Sequence, residues 1–205
     1  MKISLILPAL IAGLIITTAV NAASYARDVE EISDNVLRLH VIANSDSEAD
    51  QEVKLKVRDA VLEYSQNQCF TWDNKDDAVD AAASHIPDIE HIANDVLREN
   101  GFSYTAHAEI AEVYFPTRTY DKVTLPAGEY TALRIILGEG QGKNWWCVMF
   151  PPLCSNAVPS EEAAEYIRKN AGNSAFMMIT DADGNVKYEL RLKIADFVYE
   201  MRHRE

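Results

Sequence analysis

The sequence predicts an α+β fold: a single domain with a mixed or antiparallel sheet of about five to six strands, packed against two to four helices and preceded by an N-terminal signal segment. Three observations lead there. An uncharged apolar run opens the chain, apolar stripes at helical spacing fill residues 45–101, and from Tyr104 onward the apolar period changes to two.

After Lys2 no charged residue occurs until Arg27. The run from Ile3 to Ile16 is apolar and ends in Thr17-Thr18-Ala19-Val20-Asn21-Ala22. A basic start, an apolar middle and small residues at the end make the layout of a secretory signal. Val20-Asn21-Ala22 and Ser24-Tyr25-Ala26 each offer a cleavage site. The stretch is also long enough for an uncleaved anchor, which takes roughly 20 apolar residues. Either way Lys2 stays inside and the remainder crosses. The division expected is 1–22 as signal peptide or membrane anchor, 23–35 as a short lead, and 36–205 as one globular domain.

The formal net charge is −13, and removing residues 1–22 takes away Lys2 and no acid. Such acidity argues against a nucleic-acid surface, which needs clustered cations to neutralise phosphates. It also argues against docking on anionic headgroups, so membrane contact is expected only through the N-terminal segment, if that is retained.

Val36–Ala43 reads as a strand, ending at the turn-like Asn44-Ser45-Asp46-Ser47. A helix follows, with Ser45/Glu48 or Ser47/Asp50 as a capping box and Val53, Val57, Ala60, Val61 and Tyr64 as its stripe. Asp50 with Lys54 and Glu52 with Lys56 read as charge pairs on its wet side. Asp73 is placed to cap a second helix. Pro87 kinks it or opens a third, whose stripe is Ile89, Ile92, Ala93, Val96 and Leu97 and whose end is Gly101.

Tyr104, Ala106, Ala108 and Ile110 alternate with polar residues. The apolar role then passes to Val113 and Phe115, a slip that predicts a bulge near Ala111-Glu112. Ala132–Leu137 and Trp145–Phe150 read as central strands, joined by a tight hairpin loop holding Gly138, Gly140 and Gly142. Glu161–Asn170 reads as a helix. Phe176–Thr180 and the regular strand Val186–Ile194 read as two arms of a hairpin about Asp183-Gly184.

The chemistry-bearing motifs fail on inspection. Gly138–Asn144 has the look of a phosphate loop but joins two strands, and Asn144 follows the lysine where Ser or Thr is needed. Asp181–Asn185 hints at a calcium loop, yet Leu192 stands where the bidentate Glu belongs. The five histidines have no zinc-site spacing and there is no Gly-x-Ser-x-Gly elbow. The expectation is no catalytic residues, no metal and no cofactor. Of Cys69, Cys147 and Cys154, the last two flank a Pro-Pro turn. They are a disulfide candidate, with two buried thiols as the equal alternative.

One polar cluster remains: Arg38, His40, Asn44, Ser45 and Asp46, at a strand end and a helix start. Alternation puts Arg38 and His40 on one strand face. The cluster reads as a capped, solvated turn, or else as a binding or partner-contact patch.

Leu39-His40-Val41-Ile42-Ala43-Asn44-Ser45-Asp46-Ser47, continuing through Asp50-Gln51 and Lys54-Leu55-Lys56-Val57-Arg58-Asp59, closely resembles the signature of the stage II sporulation protein R family. Phe115-Pro116-Thr117, Leu125–Tyr130 and Gly140–Cys154 are similar to that family's second half. The resemblance implies a non-enzymatic signalling protein of endospore-forming bacteria. Such a protein is secreted from the forespore into the space between the forespore and mother-cell membranes. Its implied partner is a membrane-embedded aspartic protease of the mother cell that processes pro-sigma-E. The strings that carry the resemblance make Arg38, His40, Asn44, Ser45, Asp46, Lys143, Asn144 and Trp145 the partner-contact candidates. The competing readings are an exported small hydrolase or a ligand-binding module using the His40–Asp46 cluster.

Overall fold

The computed structural model describes residues 3–67, 72–153 and 160–179. In chain order the elements are α1 (Ile3–Ser33), β1 (Leu37–Ile42), α2 (Glu48–Asn67), α3 (Lys75–Ser84), α4 (Ile86–Glu99), β2 (Ala106–Phe115), β3 (Arg118–Tyr120), β4 (Val123–Leu125), β5 (Gly128–Leu137), β6 (Asn144–Phe150) and α5 (Ser160–Ile179). The fold is α+β. A four-stranded sheet runs β2-β5-β1-β6, and β3-β4 form a separate two-stranded sheet. The hairpin expected about Asp183-Gly184 and the strand Val186–Ile194 lie outside the described residues.

β1 is parallel to β5 and antiparallel to β6. All six of its residues are buried. Leu37, Leu39 and Val41 face α2, α3 and α4 in one core with Leu133, Ile135, Leu137, Cys147 and Met149. A second core on the opposite face joins Phe115, Tyr130, Ala132 and Val148 to Val123 and Leu125 of β4. Ile32 near the end of α1 and Ala164, Ile167, Ala171, Ala175 and Ile179 of α5 close that side. The sheet is therefore sandwiched between two unlike layers.

Several local readings change once this layering is known. β2 holds an unbroken register with β5 from Ala106↔Leu137 to Phe115↔Gly128, so no bulge interrupts it. The apolar residues swap faces because the covers differ. Ala106 and Ala108 meet the helical layer, whereas Phe115 belongs to the second core. The Gly138–Gly142 loop is no hairpin, since β1 lies between β5 and β6. β6 is an edge of the described sheet, not a central strand. Phe176–Ile179 continue α5 because Ala164, Ile167, Ala171, Ala175 and Ile179 recur at helical spacing against the sheet.

The helix signals fared better. Ser47 caps α2, its Oγ accepting from Asp50 N at 3.2 Å. Asn74, not Asp73, caps α3 by accepting from Asp77 N. Pro87 opens α4, and Gly101 ends it at φ +82°, with Phe102 N donating to Leu97 O. α1 runs on through the expected lead as far as Ser33. Its segment Leu10–Ser33 is long and apolar enough to cross a membrane, and the large side chains from Leu10 to Val20 are exposed.

Leu133, fully buried on β5 against the helical layer, tests this core directly. Leu133→Ala is expected to lower unfolding free energy by about 2–5 kcal/mol in denaturant titration, through lost burial and the cavity left behind. A change under about 1 kcal/mol would contradict the packing described.

Candidate functional site

The Gly138–Lys143 segment must travel from the end of β5 to the start of β6 over the end of β1. The backbone makes that crossing tight. Gln141 N donates to Asn44 O at 3.1 Å and Gly142 N to Ala43 O at 2.9 Å. A Cβ on Gly142 would lie 2.2 Å from Ser45 O, and one on Gly138, at φ +56°, would lie 2.3 Å from Asn44 Oδ1. These glycines answer a close backbone approach, the role left once a phosphate loop is set aside.

Side chains complete the junction. Asn44 Oδ1 accepts from Glu139 N at 3.0 Å, and Asp46 Oδ1 accepts from Lys143 N at 2.8 Å. Asp50, buried at the start of α2, accepts from Asn44 Nδ2 at 3.1 Å, Ser45 Oγ at 2.5 Å and Tyr104 Oη at 2.5 Å. Burial alone would raise the Asp50 carboxyl, but hydrogen bonds from Ser45, Tyr104, Asn44 and Ser47 hold it below the usual carboxylate range. Lys54 is buried too and donates to Gln51 Oε1 at 2.7 Å and Lys143 O at 2.8 Å. Burial lowers its pKa, with the charge of Asp46 opposing. Asp50 and Lys54 thus turn inward, to the loops, rather than forming a pair on the wet side of α2. Neither they nor Gln51 and Tyr104 stood out as site residues; the signal for three of them was their place in the long family-like string.

The eight partner-contact candidates divide by exposure. Asp46, Lys143 and Asn144 are exposed, while Asn44, Ser45 and Trp145 are half-buried. Trp145 packs on the helical core and carries Arg58 stacked 4.2 Å above its ring. Arg38 and His40 share one face of β1, as alternation predicts, and both are buried.

His40 stacks on Trp146 at 4.0 Å and meets Phe115 edge-on at 5.9 Å. Its Nε2 bonds Asn144 Oδ1 at 2.9 Å. Burial pushes its pKa down to about 4 despite that bond, so the ring is neutral at physiological pH. Asp46 is engaged with Lys143, so the structure does not assemble a His40–Asp46 dyad. Among the described residues no group of three or more His, Cys, Asp or Glu side chains is placed to hold a metal ion.

Cys147 is disulfide-bonded. Cys69 and Cys154 lie outside the described residues, and the bridge expected from Cys147 to Cys154 is tested below.

Most of the residues that lock this junction belong to the strings quoted for sporulation proteins, and comparison with known proteins agrees on a family of sporulation proteins. Residues 33–160 match the family described as stage II sporulation protein R, and the chain belongs to that family. It is 37% identical over 148 residues to "Stage II sporulation protein R" of Bacillus subtilis (strain 168). That stretch covers 67% of this chain and 64% of the relative, so the chain spans a little under two thirds of the relative's length. No solved structure matches the chain.

Two outcomes test the junction. Asp50→Asn is expected to cost about 1–3 kcal/mol at neutral pH, because buried donors lose a charged acceptor. Asp50 has a depressed folded-state pKa, so its contribution is full above the unfolded carboxylate value and fades as pH falls through the folded one. The variant should therefore lose less stability on acidification than wild type in denaturant titrations run from pH 7 downward, and parallel curves would contradict the network. Separately, peptide mapping of the non-reduced protein should join Cys147 to Cys154 across the Pro151-Pro152 turn. A Cys147–Cys69 peptide would overturn that pairing.

Proposed function

We propose that this protein is an exported, non-enzymatic signal of sporulation. It leaves the forespore by its N-terminal segment and acts in the space between the forespore and mother-cell membranes. There it activates a membrane-embedded aspartic protease of the mother cell, which then processes pro-sigma-E. The observation that carries the reading is family membership across residues 33–160, the part of the chain that holds the sheet and α2 to α4. The apolar α1, compatible with a signal peptide or an anchor, supports the export step. A messenger of this kind needs a stable fold and a complementary surface, and needs no reaction centre.

The exposed rim of the β1–β6 junction is the proposed contact surface. Asp46, Lys143 and Asn144 present polar groups there, and Trp145 with Arg58 stacked on it offers an aromatic anchor of the sort that dominates interfaces. Asn44, by contrast, is committed to Glu139 N and Asp50, and its loss should register as instability.

Reconstitution tests both levels. Purified protein added to membranes carrying the protease should switch on cleavage of pro-sigma-E. Lys143→Glu and Arg58→Ala are expected to reduce activation about tenfold or more, which corresponds to roughly 1.4 kcal/mol of contact energy, with melting temperatures near wild type. Asn44→Ala should instead lower the melting temperature. Absence of cleavage with folded wild-type protein would end the signalling reading, and full activation by both surface variants would remove this rim from the contact.

A further inference from the structure

Arg38 stands out among the buried charged groups because one of its donor nitrogens meets no acceptor among the described residues. Its Nε donates to Cys147 O at 3.0 Å and its Nη2 to Tyr120 Oη at 2.7 Å. Nη1 is buried and has no hydrogen-bond partner. The rings of Phe115, Tyr130 and Tyr120 surround the guanidinium at 4.1, 4.8 and 5.5 Å. Among the described residues no Asp or Glu pairs with it. Arg118 on β3 adds a second positive charge close enough to bear on it. A guanidinium does not shed its proton, and ring faces attract its charge without accepting the N–H groups of Nη1 as a carboxylate oxygen would. Among the described residues the arrangement lacks an anion.

We propose that this face of the sheet is a carboxylate-binding site centred on Arg38 Nη1, walled in this structure by Phe115, Tyr120 and Tyr130, with α1 and α5 packed into the same core. The chemistry of the donors selects the ligand class. The unmet N–H groups of one nitrogen, walled by rings, suit a singly charged carboxylate that accepts through one oxygen, whereas a phosphate dianion needs more donors than this face holds. His40 supplies a second polar atom on the same face: its Nδ1 is buried without a partner, and its ring meets the Phe115 ring that Arg38 also touches. Turning the Asn144 amide offers Nδ2 to His40 Nε2, which places the imidazole proton on Nδ1 and makes it a donor.

The outer layer on this face is lightly packed. Ala164, Ile167, Ala171 and Ala175 of α5 pack into the same cluster as Phe115 and Tyr130, mostly through single methyl groups. α5 is broken at Gly172, where φ is +85° and ψ 171°. The family match ends at residue 160, where α5 begins, so Arg38 and the rings around it lie in the matched region and α5 does not.

The carboxylate has two sources, a small free acid or an Asp or Glu side chain of the receptor. The second rests on the signalling role proposed above and the first does not, so the two readings fail separately. The test uses the full chain in non-ionic detergent with 15N-labelled arginine. The Arg38 Nε resonance is followed as sodium acetate replaces sodium chloride at constant ionic strength, then as the detergent-solubilised protease is added. A saturable shift with acetate, abolished in Arg38→Gln, establishes the site with free acid as a ligand. A shift with the protease alone establishes it with the receptor as source. Should Arg38→Gln fail to fold, crystals of wild type with and without acetate give the second readout, planar density on Nη1 being the expected result. No shift in either titration, or a water joining Nη1 to His40 Nδ1 in both crystals, overturns the proposal.

Discussion

The parallel pairing of β1 with β5 is the constraint from which the rest of the molecule follows. Parallel neighbours cannot be joined by a tight turn, so the chain between them must make an excursion. Here it is α2, α3, α4, β2 and the β3–β4 ribbon, and it lays the helical layer on one face of the sheet. Because β6 takes the other side of β1, the β5–β6 connection has to stride across the end of β1. That crossing brings backbone onto backbone at Ala43, Asn44 and Ser45. It explains why glycine occupies 138 and 142 and why Asn44 and Asp46 spend their side chains on the amides of Glu139 and Lys143.

The two faces of β1 then take opposite solutions to burial. Toward the helices the strand offers Leu37, Leu39 and Val41, and packing alone suffices. Toward α1 and α5 it offers Arg38 and His40, whose polar atoms must be met. Ala132 lies opposite Arg38 in the parallel register, and its lone methyl leaves space for a guanidinium to reach Phe115 and Tyr130. The Asp50 network, at the end of the same strand, is the fully bonded counterpart, with both carboxylate oxygens engaged. One buried charge is complete and the other is not, and this contrast makes the incomplete one informative.

Much of this was legible in the sequence, and the parts that were not share a cause. Caps and periods are local, so Ser47, Pro87, Gly101 and the pairing of Arg38 with His40 on one face could be read directly. Strand order is not local. Nothing between Leu137 and Asn144 announces that β1 will be inserted there, and a hairpin was the natural reading. The face change along β2 looked like a bulge because periodicity reports which side is covered, not that two unlike layers cover different ends. Burial of Arg38 and Asp50 was hidden for the same reason: charged residues read as solvated until rings and hydroxyls from remote strands are known to enclose them.

The N-terminal helix gains a second role from this architecture. Its apolar stretch is long enough to cross a membrane, yet Ile32 is fully buried in the second core, Val29 lies against Gly128, and Asp28 accepts from Ser174 of α5 at 2.9 Å. The membrane-length segment and the docked segment therefore belong to one continuous helix. A cut after Ala22 leaves Tyr25 and every docked residue from Asp28 onward in place, whereas a cut after Ala26 takes away Tyr25, whose buried hydroxyl bears on Tyr130. Retention gives a different molecule. From Ala22 to Asp28 the helix rises only about 9 Å, at 1.5 Å per residue. A rigid rod that short would hold the sheet close against the membrane it had crossed. The same helix that packs into the second core would then set how far the message can reach.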